Sequence, residues 1–474
     1  MPSISSLFYS SNPDKQTLHR RIVPSKEQME MQQDRWHDLD EYLKEKLAEE
    51  SGYQISSWIQ GSYKFGTQVR PASKADEFDI DLGMYFNWEG SDQDGDYKPK
   101  ALKSMVQTCL IKYKNETGEE VIDVVSPPKM RCDRIRFQED FHIDIPVYHI
   151  DSAHNNRSLA TEANEWEDSD PKALYIWFRE QCQEDDDNII RRIIRYLKIW
   201  AALNFSEEER PSTILLTVLA VEAFGNLSDE PLVEDDVALK NSVDYIIERL
   251  NNDSAVANPV DNTENLNRLD SNNNSNFIVK LGILSLSANR AIQSPTDLDA
   301  ATIWQEIFSH FFPLPVDNNQ SITQNALATV SFIPEIAIEA SPFGNPSNIV
   351  TRGRNAISGV PKYCDIRFKL LNADSLPWDA QIQWMVRNEG QEAEFKNDLG
   401  HPGGREVEAK EESAYVGTHY MDVVIKSSIG IIIGFRRIPV TISGTFIAPR
   451  NKKKSWLGRP SKSQMDSRFR KLLQ

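Results

Sequence analysis

Asp79-Ile80-Asp81 lies inside an apolar run, and a β-strand sends alternate side chains to the same side, so the two carboxylates share a face. Carboxylates that close resist ionising together unless a cation lies between them. Hard oxygen donors of this kind suit Mg²⁺, and two such ions can clamp the attacking and leaving oxygens of a displacement at phosphorus. Just upstream, Gly61-Ser62 opens a short glycine-spaced segment that ends near Gly66-Thr67. A turn of this type presents backbone N–H groups and a hydroxyl to phosphate oxygens. Singly, a Gly-Ser pair is an ordinary turn and an Asp-x-Asp is the exposed face of an edge strand. The chemistry is carried by their order, within one strand-turn-strand length.

A third acid follows in Phe141-His142-Ile143-Asp144-Ile145-Pro146-Val147-Tyr148. Ile143, Ile145 and Val147 form one face, and His142, Asp144 and Pro146 the other. Pro146 cannot donate to a ladder, so the strand ends or lies at an edge there. An Asp in an apolar strand is costly unless a partner or a metal neutralises it; the plainer alternative is a structural ion pair. His142 and His149 read as structural, because nothing pairs them at metal-ligand spacing. Arg134 and Arg136 share a face and could hold phosphate, with pairing to surface acids as the default.

The string Gln60-Gly61-Ser62-Tyr63 followed by Asp79-Ile80-Asp81-Leu82-Gly83-Met84-Tyr85-Phe86 resembles the polymerase-beta type of nucleotidyltransferase, and more narrowly the bacterial CD-NTases. These are relatives of cyclic GMP-AMP synthase that make cyclic oligonucleotide signals in anti-phage (CBASS) defence. The resemblance implies an α+β, polymerase-beta-like catalytic core with a helical lobe. It implies two Mg²⁺ (or Mn²⁺) ions on Asp79, Asp81 and Asp144, with Asp144 beside the attacking ribose hydroxyl. It places the donor triphosphate on Gly61 and Ser62, assisted by Gln60, Lys198 and Ser212. ATP, GTP or other ribonucleoside triphosphates are the implied substrates. A downstream effector is reached through the cyclic nucleotide, and an activating protein or ligand is an expected partner. Ser212 is equally suited to cap a helix. Two alternatives stand beside this reading: nucleotidyl transfer to an RNA, protein or small-molecule acceptor, and a nucleotide sensor or scaffold without catalysis.

The elements that must position these residues can be read from pattern. Residues 1–24 look like an extended arm. Ser25 and Gln28 form a capping box opening a helix through about Ala48. A polar loop (residues 89–96) separates the paired acids from a helix over about Lys100–Asn115. Strands follow over Val121–Ser126, Arg131–Phe137 and Phe141–Ile150, with turns at Pro127-Pro128 and 138–140. The acid-rich 184–187 favours the start of a helix over Ile189–Leu203, whose Arg191, Arg195 and Lys198 form a basic stripe while Arg192 is solvated. Helices are expected over Ile214–Phe224, Val237–Leu250, Phe277–Ser294 and Pro295–Phe312, with the asparagine-rich 270–276 as loop. From Val360 the apolar pattern alternates, as in an antiparallel β sandwich. There, 384–393 and 415–420 resemble the sensor-like domain fused to some of these enzymes; His419 reads as structural. The expected organisation is a catalytic core (1–159), a helical lobe completing the nucleotide cleft (160–315), a linker (316–359), a mostly antiparallel β domain (360–449) and a basic tail (450–474).

The 474 residues are too many for one small core. A net charge of −18 disfavours general binding to DNA, which needs an electropositive face. Four scattered cysteines without a CxxC pair fit reduced thiols in a cytoplasm and argue against structural zinc. No run is long enough to span a membrane, and no signal peptide is evident at the start.

Overall fold

Ile80, Leu82, Met84 and Phe86 alternate along one strand and are completely buried, whereas Asp79 and Asp81 on either side of Ile80 are not. The computed structural model describes residues 4–446 apart from 74–75, 139, 152, 155, 184, 186–187, 228–233 and 316–330. It begins with α1 (Ser5–Phe8), α2 (Leu18–Ile22), α3 (Lys26–Ser51), β1 (Gln54–Gln60), the one-turn α4 (Gly61–Phe65), β2 (Phe78–Asn87) and α5 (Pro99–Thr117). Strands β3 (Val121–Val124), β4 (Asp133–Phe137), β5 (Phe141–Ile145), β6 (Val147–Asp151), β7 (Asn156–Ala160) and β8 (Trp166–Asp168) complete the first sheet. Within it β1 runs antiparallel to β2, while β5 and β6 run parallel to β2 on either side of Pro146. Leu39, Leu43 and Leu47 of α3 and Leu102, Val106 and Leu110 of α5 pack on its apolar face. The capping box that starts α3 is formed, and Gly52 in the left-handed region ends the helix.

The helical lobe consists of α6 (Pro171–Gln181), α7 (Ile189–Asn204), α8 (Thr213–Leu227), α9 (Asp235–Asn252), a small ribbon of β9 (Ala257–Asn258) and β10 (Asp261–Asn265), α10 (Ser271–Ile292) and α11 (Asp297–Phe308). Three expectations are corrected here. The first residues are not an extended arm: Phe8, Leu18 and Ile22 are fully buried in the lobe's core, and Phe8 meets Trp304 edge-on at 4.8 Å. The asparagine run is helical, because the Asp270 side chain accepts from Asn272 and Asn273 N–H and so caps α10. The first sheet extends through β8, so the lobe starts after residue 168 rather than at 160.

Arg192 is the fourth correction. It is buried rather than solvated, and it makes two 2.7 Å bonds to the Asp235 carboxylate across the α7–α9 interface. Asp235 also accepts the Tyr196 hydroxyl at 2.7 Å, and the Arg192 guanidinium lies 4.1 Å from the Tyr9 ring. Removing one member leaves the other charged and buried. Arg192→Met is therefore expected to cost roughly 3–5 kcal/mol, read as a lower midpoint in chemical denaturation of the helical lobe. A midpoint equal to wild type would mean that water solvates the pair.

The C-terminal domain has two facing sheets. One contains β11 (Ile336–Pro342), β12 (Thr351–Arg354), β14 (Cys364–Leu370) and β17 (Glu408–Glu412). The other contains β13 (Ile357–Lys362), β15 (Gln381–Arg387), β16 (Gly400–Gly404), β18 (Gly417–Lys426) and β19 (Ile432–Phe446). A short helix, α12 (Gln391–Phe395), lies between β15 and β16. Pairing is antiparallel except between β13 and β19. Ile338, Phe368, Trp384, Val423 and Ile438 fill the space between the sheets. Strands β11, β12 and the start of β13 fall within 316–359, so most of that span is not a linker but the first part of this domain. The basic tail lies outside the described residues. All four cysteines are free thiols. Among the described residues no helix is long and apolar enough to cross a membrane.

Candidate active site

The polar face of the sheet opposite α3 and α5 gathers the acids. In the parallel pairing of β2 with β5, Asp79 lies beside His142 and Asp81 beside Asp144. Alternation along both strands then puts all four on one side. Asp79 is exposed, Asp81 half-buried and Asp144 buried. Asp79, His142 and Asp144 each offer a ligand atom within 4.8 Å of the others, a set able to hold a metal ion.

Electrostatics set the three carboxylates apart. Burial and then the charges of Asp79 and Asp144 push Asp81 well above the usual carboxylate range. This is the signature of a site short of positive charge. Burial alone would raise Asp144 as well, but Arg134 holds it below the usual range. Arg134 does so through a two-pronged contact, Nε to Oδ1 at 2.5 Å and Nη2 to Oδ2 at 2.7 Å. Lys129 Nζ stands 3.9 Å from Oδ2. Arg134 thus serves the third acid rather than a surface one, correcting the default reading. The signal was present in the turn at 138–140. A hairpin closed there pairs Phe137 with Phe141, and stepping back along both strands puts Arg134 opposite Asp144.

His142 is also more than structural. Its Nδ1 lies 2.9 Å from Glu77 Oε2, a carboxylate shared with Arg136, and its Nε2 lies 2.9 Å from Asp79 Oδ1 without hydrogen-bond alignment. An unsatisfied Nε2 beside two carboxylates can donate to a metal ion. His149 stacks on Trp88 and is structural, as expected.

Gly61 is fixed in place by what it touches. Its φ is +64°, and a Cβ there would come within 1.9 Å of Asp81 Oδ2. Only glycine meets both demands. The turn that offers N–H groups therefore rests directly against the second acid. Gln60 pairs with Asp81 in the ladder, but its side chain donates to the Tyr148 hydroxyl at 3.2 Å and leaves Oε1 buried without a partner.

The basic stripe of α7 is formed, but it binds backbone. Arg191 Nε donates to Phe65 O at 3.2 Å, Arg195 Nη2 to Gly66 O at 2.5 Å, and Lys198 Nζ to Thr67 O and Oγ1 at 3.3 and 3.1 Å. Lys198 is buried, and burial followed by the nearby Arg195 lowers its pKa to about 7. Ser212 caps α8, its Oγ accepting from Leu215 N–H at 3.3 Å, which is the helix-capping role its position allowed. Residues 184, 186 and 187 of the acidic run lie outside the described residues, but Asp185 accepts from Ile189 and Ile190 N–H at the start of α7. His419 is tied to Tyr415 O at 2.9 Å and is structural, as read.

Residues 56–148 match the model of the "Cyclic GMP-AMP synthase DncV-like, nucleotidyltransferase domain", and 317–443 match the "Adenylyl/Guanylyl and SMODS C-terminal sensor domain". A cyclic GMP-AMP synthase of Escherichia albertii is 27% identical over 458 residues, covering 95% of this chain and 99% of its own. A c-di-GMP synthase of Roseivirga ehrenbergii is 26% identical over 294 residues, covering 55% of this chain and 74% of its own. The crystal structure of Escherichia coli DncV with bound 3′-deoxy GTP shares the fold at a TM-score of 0.55 and 21% identity, over 65% of this chain and 97% of that one. The chain is thus similar over residues 56–148 to DncV-like nucleotidyltransferase domains and over residues 317–443 to sensor domains of the adenylyl/guanylyl and SMODS type.

Proposed function

We propose that this protein joins ribonucleoside triphosphates into a cyclic di- or oligonucleotide, releasing pyrophosphate at each transfer. The observation that carries it is the pairing of Asp81 with Asp144 on adjacent parallel strands, with Asp79 on the same face and the Gly61 turn against Asp81. Its E. albertii relative, similar over nearly the whole chain, is named a cyclic GMP-AMP synthase.

In each transfer a ribose hydroxyl oxygen bonds to the α-phosphorus of a donor triphosphate. The bond from that phosphorus to the β-phosphate bridging oxygen breaks, and pyrophosphate departs with the electron pair. Asp79, Asp81 and Asp144 would hold Mg²⁺ or Mn²⁺, which when bound supplies positive charge to the triphosphate and to the hydroxyl that attacks. Asp144, kept ionised by Arg134, would stand beside the attacking hydroxyl and help its deprotonation, the proton passing to solvent. The Gly61–Ser62 turn binds donor phosphate through its N–H groups and the Ser62 hydroxyl. Lys198 adds a charge behind it, Gln60 holds the floor of the turn, and Ser212 contributes a hydroxyl if the cap opens. The product would act as a messenger to an effector in anti-phage defence.

The test is incubation with all four labelled triphosphates and Mg²⁺, then phosphatase and mass spectrometry. A phosphatase-resistant cyclic product supports the reading. Linear products only, or label passed to added RNA or protein, would replace it with transfer to another acceptor.

Lys198 gives a pH prediction. A lysine whose folded pKa is about 7 loses its charge as pH rises through that value. The free enzyme then binds triphosphate less well, so kcat/KM should fall above about pH 7 while kcat changes little. Lys198→Arg keeps its charge and should flatten the profile; an unchanged fall would assign the titration to another group.

A further inference from the structure

After the catalytic turn, residues 66–73 form a strap that the sensor domain touches. The Arg70 N–H donates to Ile22 O at 2.7 Å; its guanidinium donates to Val23 O at 2.7 Å and to Glu394 O of α12 at 2.9 Å. One residue on, Pro71 O accepts from Asn397 Nδ2 at 3.0 Å. Gln28 Nε2 also donates to Glu394 O, at 3.0 Å, so one sensor-domain carbonyl is shared by the first long helix and the strap. Arg70 is 3% exposed, and its guanidinium donates to backbone carbonyls.

The sensor side of this contact is itself tied down. Asn397 has a φ of +51°, and its N–H bonds to Glu394 O at 3.1 Å. Lys362 pairs with Glu392 at 2.5 Å, and Val416 N–H donates to the same carboxylate at 2.9 Å. A change in β13 or in the turn before β18 therefore reaches α12 through Glu392. On the catalytic side, Phe65, Gly66 and Thr67 are held by α7, and Gln68 Nε2 donates to Asp79 O at 3.0 Å. The strap starts at the Gly-Ser turn, bonds the backbone of Asp79 through Gln68, and two residues on bonds the sensor domain through Arg70 and Pro71.

We propose that Arg70 and Asn397 are positioning residues through which the sensor domain sets the placement of the Gly61–Ser62 turn relative to Asp79. The inference rests on the nucleotidyl-transfer reading and adds to it the route by which the second domain governs the rate. A displacement of an ångström at reacting groups can cost up to ~100-fold in rate. A loosened strap should therefore act on kcat more than on KM.

The test uses the full chain. Asn397→Ala is expected to lower kcat roughly tenfold with KM for triphosphate within about twofold, and to raise deuterium uptake in peptides covering 61–71. Arg70→Lys, which can reach one of the two carbonyls, should fall between wild type and Arg70→Ala. Arg354→Ala, which removes an exposed pair with Glu335 on the far strand of the same domain, should leave both readouts at wild type. Unchanged exchange in 61–71 for Asn397→Ala would overturn the coupling even if no turnover were found. Absence of product from the wild type would instead count against the transfer reading alone, leaving exchange to decide the coupling. Equal kcat in wild type and Asn397→Ala would also overturn it.

Discussion

Asp81→Asn should yield a protein that is more stable than wild type without metal and inactive with it. Burial and the neighbouring charges of Asp79 and Asp144 raise this carboxyl well above its usual range, so its ionised form is a burden on the metal-free fold. Removing the charge is expected to raise the midpoint of urea denaturation in EDTA. With Mn²⁺ the order should reverse, because wild type gains metal binding that the variant lacks. Turnover should fall by ~10³-fold or more. A variant destabilised in EDTA would mean that Asp81 is a structural acid whose partner the geometry has not revealed.

Gly61→Ala should fall nearly as far for a different reason. The new methyl would lie 1.9 Å from Asp81 Oδ2, and the backbone φ of +64° would also be strained. Strain alone is worth ~1–2 kcal/mol. Gly52→Ala supplies that comparison, since Gly52 has a φ of +75° with open space around the added atom. Gly52→Ala is expected to lower stability slightly and leave kcat unchanged. Gly61→Ala must push the turn off the acid, with an expected loss of ~100-fold or more in kcat and little change in circular dichroism. Similar behaviour of the two variants would show that the turn need not rest against Asp81.

What could be read in advance follows from which interactions are local. The paired acids were legible because strand alternation is local. The burial of Ile80, Leu82, Met84 and Phe86 against the openness of Asp79 is the pattern of one strand in isolation. Asp144 was legible as a third acid because it interrupts an apolar strand. Arg192 was misread because helical spacing shows which residues share a face but not what lies across from it. Its partner Asp235 is 43 residues away in α9. The first residues were misread because α1 and α2 are four and five residues long, too short for a helical period to show. The asparagine run was misread from propensity, although Asp270 ahead of it was a visible cap. Arg134 was recoverable from hairpin arithmetic, whereas His142 meets Glu77 and Asp79 through a parallel pairing of strands about 60 residues apart. The strap contacts of Arg70 and Asn397 were not, since they join residues more than 300 apart.

The most direct measurement is Mg²⁺-dependent pyrophosphate release from a mixture of ATP, GTP, CTP and UTP, by wild type and by Asp79→Asn/Asp81→Asn protein side by side. Release by the wild type alone, lost on adding EDTA, is the expected result. Equal release by both proteins would contradict the assignment of the paired acids as the metal-binding centre of a nucleotidyl transfer.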